Sequence, residues 1–245
     1  MMPGLGYNLS ASWGPRQETP EALAVRWIRL IDRLQAIDPL FAHWYSWTED
    51  TPIVRFDPRI VPLAQKMADT VFIEDGTPEP RYGYRTIARN TADLNWGPRY
   101  LSATMHAGNS IGANWLNMGT DYGFAPDPDV ITYPIFKGAV LAFAETFEAT
   151  RACAYPDTLM DLWPSGRSWP TLCLSWISYV APRFVHLITP PPTAIVERRP
   201  DGGLLMAATD ETFSTANPAH LAVARDIEAA IAPLNALPWP PETHG

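Results

Sequence analysis

The chain has 245 residues, enough to bury a substantial core and of a size for one large domain or two small ones. Charged residues are 18% of it, against roughly 25% in an ordinary globular domain, and 47% is hydrophobic, which excludes an intrinsically disordered protein. Lys+Arg 18 against Asp+Glu 26 gives a formal charge of −8, which argues against nonspecific nucleic-acid binding, driven by Lys and Arg neutralising phosphates, and permits steering toward a basic partner.

Residues 1–18 read as extended, with Tyr7 and Trp13 as anchors. Thr19-Pro20-Glu21 is a helix start, with an N-cap hydroxyl, proline at the first helical position and an acid in the first turn. Leu23, Trp27, Leu30, Ile31 and Leu34 recur at helical spacing until Asp38-Pro39 ends the helix. Residues 45–58 read as irregular, and a short helix is expected from Pro62 to Asp69. Glu74 to Pro80 is turn-rich.

Beyond it the period changes to two. Arg81, Arg85 and Arg89 interleave with Tyr82, Tyr84 and Ala88, as on a half-exposed strand. Further strands are expected at Tyr100–Ala107 and Trp115–Thr120, joined through Gly108 to Gly112 and followed by an Asp/Pro-rich loop from Asp121 to Asp129. Pro134 to Arg151 is the clearest helix, with Phe136, Val140, Phe143, Ala144 and Phe147 on one face. A Pro/Trp-rich loop spans 155–170, and Leu172–Val180 and Phe184–Ile188 read as buried strand or mixed segments. Ala194–Arg199 and Leu204–Thr209 flank Pro200-Asp201-Gly202-Gly203, a hairpin signal. Asn217-Pro218 caps a last helix carrying Leu221, Ala224, Ile227, Ile231 and Leu234, and a Pro-rich tail from about 238 is expected to be loose.

The 26 prolines are spread between elements, and no composition break divides the chain. The order predicts an α+β fold, a mostly antiparallel sheet packed with N-terminal, central and C-terminal amphipathic helices, in a single domain over 1–245.

The chemistry-bearing residues form no familiar motif. There is no phosphate loop, dinucleotide fingerprint or nucleophile elbow. His43, His106, His186, His220 and His244 make no local metal-ligand pair, so no metal and no cofactor are expected. Cys153 and Cys173 read as reduced, inert thiols. The opening lacks the basic and apolar regions of a signal peptide, and no run approaches a membrane span, so the chain is read as cytoplasmic. Two other readings stay open: an enzyme whose site forms only in three dimensions, around His106, Asp121 or His43, and a carbohydrate-binding module built on the ten tryptophans. Trp96-Gly97-Pro98-Arg99 repeats Trp13-Gly14-Pro15-Arg16, but a helix follows one copy and a predicted strand the other, so the repeat is read as coincidence.

Trp13-Gly14-Pro15-Arg16, Glu18, Glu21, Ala24, Arg26, Leu30, Leu34, Ile37-Asp38-Pro39 and Trp44 together resemble the start of the immunity protein 52 family of bacterial polymorphic-toxin systems. Gly202, Thr209, Phe213, Asn217-Pro218, His220 and the final helix are similar to the family's closing pattern. The middle fits loosely, through Tyr84, Gly108 and Asn114.

The resemblance implies an α+β protein without known catalysis, encoded beside a toxin with a restriction-endonuclease-like nuclease domain, often delivered by type VI secretion. It implies that the protein shields the producing cell by binding that cognate toxin, either plugging its active site or blocking an assembly or conformational step. Nucleic acid and membrane are not implied as partners, and homodimerisation is left open. Composition and loop position nominate the toxin-binding residues: Trp47, Glu49 and Asp50; Asp121, Tyr122, Asp127 and Asp129; Asp157 and Asp161. Trp13, Gly14, Pro15, Arg16, Asp38, Trp44, Asn217 and His220 are expected to be structural, with Arg16 paired to Glu18 or Asp38 and Trp13 covering the first helix.

Overall fold

The computed structural model describes residues 6–48, 51–93, 97–120, 124–163 and 174–237. Twelve strands and four α-helices fill these stretches. Ten strands form one sheet in the order β11-β12-β10-β9-β1-β8-β7-β6-β2-β3, and every pairing in it is antiparallel.

The first strand, β1 (Tyr7–Trp13), lies in the middle of that order, between β8 (Asn114–Thr120) and β9 (Arg151–Pro156). Its odd residues, Tyr7, Leu9, Ala11 and Trp13, share a face with Ala152 and Ala154 of β9 and with Leu116 and Met118 of β8. The helix α3 (Tyr133–Phe147) packs on this face across β1, β9 and β10 (Ile177–Val180). Beside it runs α1 (Pro20–Gln35), whose N-cap Thr19 accepts from Ala22 N at 3.3 Å, and then α2 (Ile60–Ala68) against β6 (Tyr82–Arg89). Because α3 is flanked by α1 as well as by the sheet, it is buried well beyond one stripe, and Ala139, Leu141 and Ala142 join the expected phenylalanines inside.

The opposite face of the sheet is covered unevenly. Arg151, whose side chain lies across the sheet from Ala152, hydrogen-bonds Asn235 of α4 (Pro218–Asn235) at 2.9 Å, so α4 sits on the far side from α3. It adjoins β12 (Leu204–Ala207), which pairs with β10 and with β11 (Ile195–Arg198). Under this double cover β9, β10 and β12 are buried along their whole lengths. Across β8 and β7 (Leu101–Asn109), by contrast, buried residues alternate with half-buried ones, as on a sheet with one packed face.

The structure departs from the sequence reading in five places. Residues expected to be irregular at 45–58 contain β2 (Tyr45–Thr48) and β3 (Thr51–Arg55), a hairpin with a register shift between Ser46 and Thr48. The turn-rich stretch after α2 folds as a small hairpin of β4 (Ile73–Glu74) and β5 (Thr77–Pro78). Arg151 belongs to β9, because the helix before it ends at Glu148, which adopts left-handed backbone (φ 52°). Pro182–Leu187 is 3₁₀-helical, so the Phe184–Ile188 segment adds no strand. Arg89, placed on a half-exposed face by alternation, is 1% exposed, since β2 pairs alongside it at Tyr45 and the strand is not an edge.

Candidate functional site

The strands β8, β9 and β12 run in one direction, so the loops that follow them emerge at the same end of the sheet. Cross-loop contacts tie these loops together. Thr212 Oγ1 donates to Ile131 O at 2.6 Å, and the hydroxyls of Thr158 and Thr215 are 3.0 Å apart. Tyr7 O–H, with its pKa pushed up to about 12 by burial, donates to Phe213 O at 2.8 Å and fixes the third loop to the start of β1.

This end carries Asp127, Asp129, Asp157 and Asp161 in their two loops. Their roles differ. Asp127 is a turn residue: its carboxylate accepts from Asp129 N at 2.9 Å and pairs with Arg99 at 2.8 Å, while its own N–H donates to Pro98 O. Asp157 is half-buried and accepts from Asn8 Nδ2, and its N–H donates to Gly6 O at 2.9 Å. Burial raises its pKa above the usual aspartate range, against the opposing pull of hydrogen bonds to the carboxylate from the Asn8 amide and the Gly6 backbone. Asp129 and Asp161 are exposed.

Two further carboxylates, Asp210 and Glu211, are exposed on the third loop, and sequence reasoning missed them. It also missed the apolar residues among them: Phe124, Met160 and Leu162 are exposed at 45%, 45% and 44%. The signal that could have found them is strand direction, since it takes the order of pairing to show that loops at 124–131, 157–162 and 209–215 share one end. A surface of this kind, apolar side chains set among carboxylates, suits association with a basic protein partner.

Trp47 stands on β2, with its side chain outside the described residues, as are Glu49, Asp50, Asp121 and Tyr122. Asp121 and Tyr122 directly follow β8 in the sequence. The β2 hairpin lies apart from the acidic loops: four strands separate β2 from β9, roughly 24 Å across the sheet.

The motif residues Trp13 to Arg16 meet at the other end of the sheet. Trp13 stacks on Phe147 of α3. Asn114 Nδ2 donates to Gly14 O at 2.8 Å and Arg16 N donates to Asn109 O at 2.8 Å, which fastens the segment around Pro15 to the turn between β7 and β8. The Arg16 guanidinium lies over the Trp13 ring and pairs with Glu18 at 3.0 Å. Arg26 reaches the same carboxylate at 2.5 Å and donates to Thr146 O at 2.7 Å. Burial pulls the Arg16 pKa down, and Glu18 opposes it. Asp38 is not Arg16's partner. It caps the 3₁₀ turn Pro39–Phe41 by accepting from Leu40 N at 2.7 Å. Trp44 is buried, with its indole N–H donating to Phe41 O. Asn217 caps α4, accepting from Ala219 N at 3.0 Å, and His220 Nδ1 accepts from Ser214 N at 3.2 Å.

The residues of the other two readings are engaged separately. His106 Nε2 lies 2.7 Å from Tyr82 O, and His43 Nδ1 lies 2.7 Å from Arg55. Among the described residues no three His, Cys, Asp or Glu side chains are grouped to hold a metal ion, and no helix is long and apolar enough to cross a membrane. Cys153 is buried, and Cys173 lies outside the described residues. Trp13, Trp27, Trp44 and Trp176 are core residues rather than exposed platforms for a sugar ring.

Residues 118–236 match the immunity protein 52 family. That stretch is similar to immunity proteins of this family. It runs from the end of β8 through α4, so it contains two of the strands' following loops complete, those after β9 and β12, together with the 124–131 loop, Asn217 and His220. The Trp13–Trp44 block, on which half of the sequence resemblance rests, lies N-terminal to it. No curated protein matches the chain. Among solved structures, a T6SS protein of Pseudomonas aeruginosa superposes with a TM-score of 0.58 over 93% of this chain and 73% of that one, at 11% identity. The fold of this chain therefore has a counterpart among solved structures.

Proposed function

We propose that the protein binds and neutralises a cognate toxin with a nuclease domain, protecting the cell that makes both, in the setting of type VI secretion. Membership of residues 118–236 in an immunity-protein family supports the general role. The observation that supports the finer reading is that exposed Asp129, Asp161, Asp210 and Glu211 and exposed Phe124, Met160 and Leu162 all lie on loops at one end of the sheet. A nuclease must present basic surface to phosphates. Exposed carboxylates attract that surface at long range, and apolar residues among them supply the desolvated contact that holds it.

The test is coexpression with the toxin-like product of the neighbouring gene. The expected result is survival of cells that otherwise die, and copurification of the two chains. Absence of both rescue and copurification removes the reading. The two mechanisms separate in vitro: a plugged active site competes with DNA for the nuclease, whereas a blocked assembly step leaves DNA binding intact and stops cleavage.

A further inference from the structure

One peptide unit of the third loop is held from both sides. Phe213 C=O accepts from Tyr7 O–H at 2.8 Å, and the N–H of the same unit, that of Ser214, donates to His220 Nδ1 at 3.2 Å. Tyr7 begins the central strand and His220 stands in the first turn of α4. Both are buried, as is Phe213, whose ring centroid lies 5.5 Å from that of the imidazole. The bonds that tie the loops together bracket this unit. One residue before it, Thr212 reaches Ile131 O in the 124–131 loop, and one residue after it, Thr215 meets Thr158 in the 157–162 loop. Displacing the Phe213–Ser214 unit therefore shifts all three loops, and with them Asp129, Asp161, Asp210 and Glu211.

The imidazole can hold Ser214 in one charge state only. A backbone N–H donates and never accepts, so Nδ1 carries no proton, and in the neutral ring the proton sits on Nε2. Nε2 faces Glu211 Oε2 at 3.6 Å. A second proton sets an N–H against the Ser214 N–H and breaks the bond. Histidine is the side chain that makes this change between about pH 5 and 8. Its surroundings pull both ways, since Glu211 favours the cation and the positive end of α4 opposes it. Of the elements packed on α4, β12 carries no ionisable residue, and the 3₁₀ turn Pro182–Leu187 carries Arg183, which donates to Thr150 Oγ1, and His186. Asp210, the other charge of the loop, is exposed. Tyr7 stays protonated throughout this range, because burial has pushed its pKa up to about 12. The clamp thus has one pH-sensitive jaw.

We propose that His220 is a positioning residue for recognition at the acidic end: its neutral imidazole, with Tyr7 opposite, holds the three loops in the arrangement that a basic partner meets, and protonation loosens that hold. The inference rests on the reading that this end binds the toxin.

The experiment uses the full chain labelled with ¹⁵N and reads amide hydrogen exchange, expressed as protection relative to an unstructured chain so that the intrinsic effect of pH cancels. In the parent, protection of the Ser214 amide is expected to fall about fivefold or more between about pH 7.5 and 5, the weight of one neutral hydrogen bond, while the Ala103 and Met105 amides of β7 keep theirs. His220→Asn sets an amide oxygen near the place of Nδ1 and keeps the protection at both pH values, whereas His220→Ala loses it at both. The parent's own pH series needs no variant, so the test stands even where His220→Ala unfolds. Against the toxin-like product of the neighbouring gene, His220→Ala is expected to dissociate about fivefold or more faster than the parent and His220→Asn at neutral pH. Protection of Ser214 that is flat with pH in the parent, failure of His220→Asn to keep it, or a loss shared equally by β7 overturns the clamp. Unaltered dissociation from a toxin that the parent binds overturns the role in recognition. Failure of the parent to bind that product removes the neutralisation reading and this role in it, and the exchange series then decides the clamp alone.

Discussion

The indole of Trp13 lies stacked on the ring of Phe147, centroids 4.7 Å apart and planes 18° from parallel. One ring ends the central strand and the other ends the central helix, and both are buried. The stack joins the two layers of the fold at the point where α3 stops.

Trp13→Ala is therefore expected to destabilise the protein by about 3–5 kcal/mol, the cost of deleting a large ring from a packed core. Urea denaturation measures it as a lower midpoint at unchanged slope. Trp13→Phe keeps an aromatic stack and loses much less.

Glu18 is the common acid of Arg16 and Arg26, and its side chain is 7% exposed. Glu18→Gln preserves shape but leaves two partly buried guanidiniums with only the exposed Glu148, 3.3 and 3.4 Å away, as their counter-charge. The expected loss is about 2–3 kcal/mol, below that of a fully buried pair because solvent still reaches both arginines. A thermal melt detects it. An exposed control such as Glu211→Gln moves the melt little.

Asp157 carries a pKa raised by burial. A carboxyl whose folded pKa exceeds its unfolded value favours folding while protonated, and that contribution is lost as pH rises through the folded pKa. Asp157→Asn is thus expected to be more stable than the parent at pH 7. The advantage shrinks as pH falls and is gone below the unfolded aspartate value, about 3.9. Stability curves from pH 3 to 7 test the sign. A constant difference across that range refutes the assignment.

Charge reversal belongs at Asp129, Asp161 and Glu211 rather than at Asp127, whose carboxylate holds its own turn and Arg99. With the cognate toxin in hand, the triple lysine variant is expected to associate about tenfold or more slowly at low salt, with a flatter salt dependence and an unchanged melt. Stopped-flow association at two ionic strengths reads both. Unaltered kinetics exclude these loops from the encounter surface.

What the sequence revealed follows from the range of the interactions. Thr19-Pro20 and Asn217-Pro218 cap their helices through bonds spanning a few residues, so composition alone marks them. Tyr7 and Trp13 announce a buried strand by their size. The β2–β3 hairpin was hidden because its prolines and acids mask alternation, and its strands hold together by pairing with β6, more than thirty residues away. Arg89 was misjudged for the same reason: a partner strand, not its own polarity, buries it. The acidic end is less legible still. Asp129, Asp161 and Glu211 are neighbours through the common direction of three strands, and Phe124, Met160 and Leu162 acquire meaning only once they stand together in the open. No local pattern encodes either fact.

The position of β1 between β8 and β9 has a consequence in time. On a ribosome this strand is made before both its neighbours: the first begins only at Asn114, which pairs with Trp13, and the second at Arg151. At roughly 5–20 residues per second, the delay before either neighbour exists is on the order of 5–20 s. For that interval Tyr7, Leu9 and Trp13 wait without a sheet to enter. The family-matched stretch, made later, cannot close its own sheet without them. The later strands thus depend on β1, and the fold completes only when that strand is drawn back into its centre.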